Sequence, residues 1–381
     1  MAIPLLQHAP RWLTEATLAL ALLASSSGPA AAGVVVQTDI VSDGKPPAVV
    51  TDHNLLNAWG ISYAPTGPFW ISANGAGLAL VFDGQGTKLL TVTIPAPPGA
   101  TGASAPTGQV FNATQDFVVS AKDKSGMTHS APAVFLFATE DGTISGWSPK
   151  VDPTNAVIAV NHSTLNPSAV YKGLTIFTDA SGSYLLATNF RFGVVEVYDG
   201  HFHLVRTFRD HRLPSDFAPF NIQNLNGHLY VTYAKQDAER HDDVKGVGNG
   251  FVERVDIFGT IKASVHDRDD LNSPWGLAIA PRSFGRFAGK LLVGNFGDGA
   301  IHAFRPGNLH ARGALKTDGA HEKRHDLKID GLWALIVGNG GKGGDKDKVY
   351  FSAGPNGEAD GLFGNLAFVH HEDDDQGENE D

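Results

Sequence analysis

A short motif recurs down this chain, and its spacing limits what the chain can fold into. Each copy opens with an aromatic or small residue followed by Gly. It continues into an apolar strand ending in Asn, turns at Gly, and closes with a strand ending in aromatic-Asp or Gly. The clearest copy is Trp59-Gly60-Ile61-Ser62, then residues 69–75 (FWISANG), then residues 80–84 (LVFDG). A second runs through Lys172-Gly173-Leu174, residues 184–189 (YLLATN) and residues 195–200 (VEVYDG). A third runs through Trp275-Gly276-Leu277-Ala278, residues 291–295 (LLVGN) and residues 301–304 (IHAF). Weaker copies begin at Thr107-Gly108, at Pro219-Phe220-Asn221-Ile222 and at Asp330-Gly331-Leu332-Trp333. Six copies after residue 32 give about 58 residues each, the size of a four-stranded blade with long loops.

The segments are β-branched or aromatic and bounded by Gly, Pro, Asn and Asp, as strands are. Glycine, 44 of 381 residues, is well above the ~7% of ordinary chains and supplies the turns. These features predict an all-β fold, a six-bladed β-propeller over residues 33–369. The last copy carries only three strands, and residues 34–41 (VVVQTDIV) precede the first copy unassigned. A ring must close or leave open sheet edges. The N-terminal strand is therefore expected to complete the last blade, which closes the ring without disulfides in a chain with no Cys.

The two ends read differently. Arg11, the apolar run 17–24 (TLALALLA) and the small residues Ala30-Ala31-Ala32 form an export-signal pattern over residues 1–32. That run is too short to span a bilayer. The expectation is a secreted or periplasmic protein with no membrane span after signal removal. Residues 370–381 hold seven carboxylates and no Lys or Arg. They read as a self-repelling acidic tail. The net charge of −11 argues against a nucleic-acid partner, since phosphate binding needs a basic face.

Several longer stretches resemble a known family. Residues 54–61 (NLLNAWGI), 138–147 (ATEDGTISGW), 230–237 (YVTYAKQD), 241–244 (HDDV) and 353–356 (AGPN) look like a family of exported, functionally uncharacterised bacterial proteins. The blades resemble six-bladed NHL-type propellers. The resemblance implies fold and export and carries no assigned activity.

In such a ring the loop entering the first strand and the turn after the second share a face. That face is expected to collect Asn57, Trp59, Asn74, Glu140, Asn189, Asn221, Trp275, Asn295, Asp330 and Asn356. Amide and carboxylate oxygens suit Ca²⁺, or sugar hydroxyls with Trp faces to stack on. Calcium-dependent lactonases on six-bladed propellers use a similar set of Glu, Asn and Asp around the channel. Turn chemistry alone also places Asn after strands. Glu140 stands where other copies have Asn. Residues 235–250 form a long charged loop, a candidate lid carrying Lys235, Asp237, His241 and Asp242, side chains able to act as a base or as metal ligands.

Other motifs fall away. His321-Glu322-Lys323-Arg324-His325 fits the H-E-x-x-H zinc pattern, but that chemistry needs a helix and the flanking residues give no helical face. Residues 338–344 (GNGGKGG) are Gly-rich with no helix to follow. Three readings of function stay open. One is a non-catalytic, monomeric module that binds carbohydrate, a cell-surface component or protein. Another is a calcium-dependent, lactonase-like hydrolase at the mouth of the channel. The third is a structural surface protein whose ring presents the acidic tail.

Overall fold

The computed structural model of the protein describes residues 33–265, 268–318 and 324–370. The export-signal expectation and the tail beyond His370 lie outside the described residues. Each repeat forms one antiparallel sheet, traced from an inner strand outward. Blade 1 is Ala58–Ser62, Phe69–Ala73, Leu78–Phe82 and Lys88–Thr93. Blades 2 to 5 begin with the inner strands Pro106–Phe111, Tyr171–Asp179, Phe217–Leu225 and Pro274–Ile279. Blade 6 begins with Leu332–Val337 and continues through Val349–Ala353 and Leu362–His370. Consecutive inner strands touch in turn, and the last touches the first, so the six sheets stand around one axis.

The ring closes as the strand count required. Gly33–Ser42 pairs antiparallel with Leu362–His370, Val34 opposite Val369 and Ser42 opposite Leu362. The short strand Val50–Thr51 then adds to its outer edge. Val35 and Val41 are buried there. Two hairpins decorate the ring: Val118–Lys122 with Thr128–Pro132, and Lys316–Asp318 with Arg324–Asp326. The second places Arg324 and His325 on a strand, so the described part of the H-E-x-x-H stretch is not helical.

Middle strands are buried on both faces because each is covered by a neighbouring blade. Phe69–Ala73 is buried throughout. Trp70 stacks on Phe135 of blade 2, with ring centres 4.2 Å apart. Nearer the axis the blades approach so closely that the inner strands need Gly. A Cβ on Gly60 would lie 2.4 Å from the carbonyl oxygen of Thr107, and one on Gly108 would lie 2.8 Å from that of Lys172. The recurring aromatic-Gly pair thus has two jobs: Gly admits the next blade, and the residue before it fills the axis.

Among the described residues no helix is long and apolar enough to cross a membrane.

Candidate functional site

The residue before the inner-strand Gly, or its equivalent, is Trp59, Thr107, Lys172, Phe220, Trp275 and Trp333 in blades 1 to 6. Most of these rings pack on one another. Trp59 stacks on Trp333 at 3.6 Å between centres, and Phe296 stacks on the same indole at 3.8 Å. Trp275 meets both Trp59 and Trp333 edge-on. The expected use of Trp faces to stack on a ligand is corrected here. Trp59, Trp275 and Trp333 are 1–2% exposed, because their faces are spent on each other.

Lys172 breaks this aromatic series. Its side chain is fully buried, and its ammonium lies 5.0 Å from the centre of the Trp59 ring and 5.8 Å from that of Phe190. It donates a hydrogen bond to Glu140 and lies 3.4 Å from Asp242. Burial opposes the charge on Lys172, but Glu140 and then Asp242 outweigh it and the pKa is raised.

A continuous polar chain extends from this pair. Asn74 donates to the other Glu140 oxygen at 3.0 Å, and Asn57 reaches Asn74 at 3.3 Å. Asn57 also donates to Glu358 at 2.8 Å and accepts from the indole N–H of Trp333 at 2.9 Å. On the other side, His241 Nδ1 meets Asp242 Oδ1 at 2.9 Å. The chain Glu358–Asn57–Asn74–Glu140–Lys172–Asp242–His241 draws on five of the six blades. Turns between second and third strands contribute Asn74, Glu140, Glu358 and the His241-Asp242 pair, while inner strands or their entry contribute Asn57 and Lys172.

The titration behaviour follows from the geometry. The hydrogen bond from His241, with Lys172 adding, lowers the pKa of Asp242 to about 2. The same bond raises that of His241, against burial and the repulsion of Lys172. Burial raises the carboxyl pKa values of Glu358, Asp141 and Asp243. Glu358 holds a left-handed backbone at φ 69°, a conformation costing a non-Gly residue about 1–2 kcal/mol. Such strain is tolerated where the surroundings fix it, and it clusters at functional sites.

Of the residues expected on this face, Asn57, Asn74, Glu140, His241 and Asp242 come together. Trp59 borders them, its ring 5.0 Å from the Lys172 ammonium, and most of the others are held by local bonds of their own. Asn189 is buried and donates to Glu196 at 2.8 Å. Asn221 donates to the carbonyl of Trp275 at 2.7 Å, tying blade 4 to blade 5. Asn295 donates to the carbonyl of Asp270 at 3.0 Å. Asp330 accepts from the backbone of Asn356 at 2.8 Å in an exposed turn. Lys235 lies 3.6 Å from Asp216, and Asp237 accepts from the His241 backbone at 2.8 Å.

The candidate lid is anchored at its middle and end. Gly246 donates to the side chain of Asn272 at 2.7 Å and Gly248 to the carbonyl of Leu271 at 2.9 Å.

Glu140, His241 and Asp242 offer ligand atoms that lie within 4.8 Å of one another, an arrangement that could hold a metal ion. Lys172 weighs against that use. A double charge ~5 Å from the ammonium meets about 7 kcal/mol of repulsion at an effective dielectric constant of ~20. The carboxylates that would attract a cation are already paired with one.

No protein-family model matches the chain. Uncharacterized protein L690 of Acanthamoeba polyphaga mimivirus is 30% identical over 322 residues, 83% of this chain and 81% of that protein. The chain belongs to the L690 family. Uncharacterized protein R648 of the same virus is 29% identical over 334 residues, 86% of this chain and 78% of that protein. The relatives found for this L690-family chain are viral, where the sequence resemblance anticipated bacterial ones. Among solved structures, virginiamycin B lyase from Staphylococcus aureus matches with a TM-score of 0.46 and 10% identity, covering 89% of this chain and all of that one. The Cps50 (Swd1) β-propeller domain of Myceliophteria thermophila matches with a TM-score of 0.44 and 12% identity, covering 81% of this chain and 83% of that one.

Proposed function

We propose that this chain is an exported binding protein that takes a small, neutral, hydroxyl-rich ligand at the mouth of its channel. The observation that carries the reading is Lys172. Buried charges cost several kcal/mol unless paired, and apolar replacements are often as stable or more so. An aromatic residue serves at the same place in four other blades, so stability alone does not call for Lys. What Lys172 adds is a fixed charge holding Glu140 and Asp242 in position.

Charge balance favours a neutral ligand. Two carboxylates, Glu140 and Asp242, face one buried ammonium and a His241 whose proton is held more tightly than usual. The cluster is therefore strongly polar without a large net charge. Its half-exposed groups, Glu140, Asn74, Glu358 and His241, present acceptors and donors side by side, as vicinal hydroxyls require. Export is part of the reading and rests on the pattern in residues 1–32.

The test is a melting-temperature screen with neutral monosaccharides and polyols, run beside Ca²⁺ and Mn²⁺. A ligand that binds only the native state raises the midpoint. The expected result is a saturable rise with a sugar or polyol that Glu140→Gln and Asp242→Asn abolish in folded protein. A rise with the cations alone would instead favour the metal-dependent hydrolase and overturn this reading.

A further inference from the structure

One blade departs from the charge of the chain as a whole. Between Leu271 and Thr317 stand Arg282, Arg286, Lys290, Arg305, Arg312 and Lys316, with Asp298 the one acidic residue among them, in a chain of net charge −11. Asp298 lies in the turn between the second and third strands of blade 5, on the side of the charged mouth. Arg282, Arg286 and Lys290 share the loop that joins Pro274–Ile279 to Leu291–Asn295, on the opposite side. Arg282 and Arg286 are exposed. Among the described residues, neither they nor Lys290 nor Arg312 forms an ion pair.

The loop is held firmly enough to present these charges. Phe284 and Phe287 are buried, and the Arg286 guanidinium lies 4.6 Å from the Phe287 ring centre. A Cβ on Gly313 would lie 3.9 Å from Arg286 Nη2, so Arg286 reaches the edge strand Ala311–Ala314 that carries Arg312. The neighbouring loop of blade 6, residues 338–348, adds three Lys against two Asp.

The last strand of the ring ends against this same loop. Leu362–His370 runs from the mouth toward the base. Phe368 packs on Phe284 with ring centres 6.2 Å apart, and a Cβ on Gly285 would lie 2.5 Å from the Phe368 ring. Residues 372–381 then hold seven carboxylates and no Lys or Arg. Five extended residues, Phe368 to Asp373, reach about 17 Å, which brings the acidic run within range of Arg286, the neighbour of Gly285.

We propose that the base of blade 5 is a docking surface for the acidic tail of this chain, residues 372–381, held in the same molecule. Arg282, Arg286 and Arg312 offer the planar fork that takes a carboxylate through two parallel hydrogen bonds. Exposed pairs of this kind are weak singly and screened by salt. The covalent tether compensates, because a short link holds the tail at an effective concentration in the millimolar range. The clasp covers a basic rim on an otherwise acidic ring, and it is independent of the charged mouth.

The test treats the chain, tail intact, with a water-soluble carbodiimide, which couples a carboxylate to an amine in contact with it. Arg286→Lys keeps the charge and supplies the amine. Mass spectrometry of digests is expected to find links from residues 372–381 to position 286 and to Lys290 at about 0.02 M salt, lost at about 0.5 M. Lys122 and Lys124, on the blade 2 hairpin, serve as exposed controls and are expected to link rarely. The variant Arg282→Gln, Arg286→Gln, Arg312→Gln keeps Lys290 and should lower its links about fivefold or more, with folding checked by melting temperature. Links to Lys122 and Lys124 in equal yield, yields indifferent to salt, or an unchanged yield at Lys290 in the folded Gln variant would overturn the proposal. So would links that join isotopically labelled to unlabelled copies in place of links within one copy.

Discussion

Lys172 occupies in blade 3 the position that Trp59 occupies in blade 1, and the two side chains meet, ammonium to ring centre at 5.0 Å. A repeat position that packs the axis in one blade carries the only buried lysine of the described core in another. The substitution sacrifices packing for a positioned charge. Neutralising the whole cluster should therefore be harmless to the fold. The triple variant Lys172→Met, Glu140→Gln, Asp242→Asn is expected to unfold in urea with a stability equal to the parent or up to about 4 kcal/mol greater. The same variant should show no ligand-induced rise in melting temperature. A triple variant that binds like the parent would separate the cluster from function.

His241 and Asp242 make the long loop of blade 4 pH-dependent. The folded pKa of His241 is raised, so its contribution is fully present below the unfolded value near 6.5 and is lost as pH rises through the folded value. The folded pKa of Asp242 is lowered to about 2, so its contribution is present above about 4 and is lost as pH falls toward 2. His241→Asn keeps a donor and removes the titration. Melting curves should show the parent ahead of this variant at pH 5 to 6, with the gap closing as pH rises through the raised folded value.

Glu253 gives a second pH effect, with the opposite consequence for an acid. Burial and the neighbouring Asp210 raise its pKa to about 7 from an ordinary 4.5. The folded state then binds this proton more tightly than the unfolded chain, so stability falls as pH rises from about 4.5 to 7 and levels off above. The fall amounts to as much as about 3 kcal/mol. Glu253→Gln retains an acceptor for Ser264, which donates to Glu253 at 3.0 Å. Urea denaturation should find a shallower fall for this variant than for the parent between pH 5 and 8, and more stability than the parent at pH 8. A parent with no slope in that interval would contradict the raised value.

The closure of the ring can be locked. Val36 stands opposite Ala367 across the first and last strands. Opposed antiparallel residues lie about 4.5–5.5 Å apart at Cα, inside the range a disulfide spans. With no other Cys in the chain, Val36→Cys with Ala367→Cys can form only one intramolecular bond. It would enclose about 330 residues and, by the chain-entropy account, stabilise by as much as about 6 kcal/mol. Oxidised and reduced forms should differ by several degrees in melting temperature. Failure to form the bond in folded monomer would place the two strands apart.

The fold was legible because turn residues and strand length repeat, and because the last copy lacked the strand that residues 34–41 could supply. The site was legible only in part. Asn57, Asn74 and Glu140 stand at repeat positions that share a face, so alignment of the copies finds them. Lys172 was equally visible, as a charged residue where Trp59 and Trp275 stand before Gly, but it reads as one more inner-strand opening until its burial is known. Glu358 has no such signal. It reaches Asn57 across 301 residues of sequence, and only the closed ring brings them together. Asn189 and Asn221 show the converse: the same residue type at matching positions serves hydrogen bonds inside and between blades.

The coupling between Lys172 and Glu140 tests the central claim most directly. A double-mutant cycle of Lys172→Met and Glu140→Gln, read by urea denaturation at pH 7, isolates their interaction from the rest of the ring. The account predicts a coupling of about 2–3 kcal/mol, with Glu140→Gln recovering much of what Lys172→Met loses. Changes that add to within about 0.5 kcal/mol would mean that the two charges do not hold each other, and the site built on them would not stand.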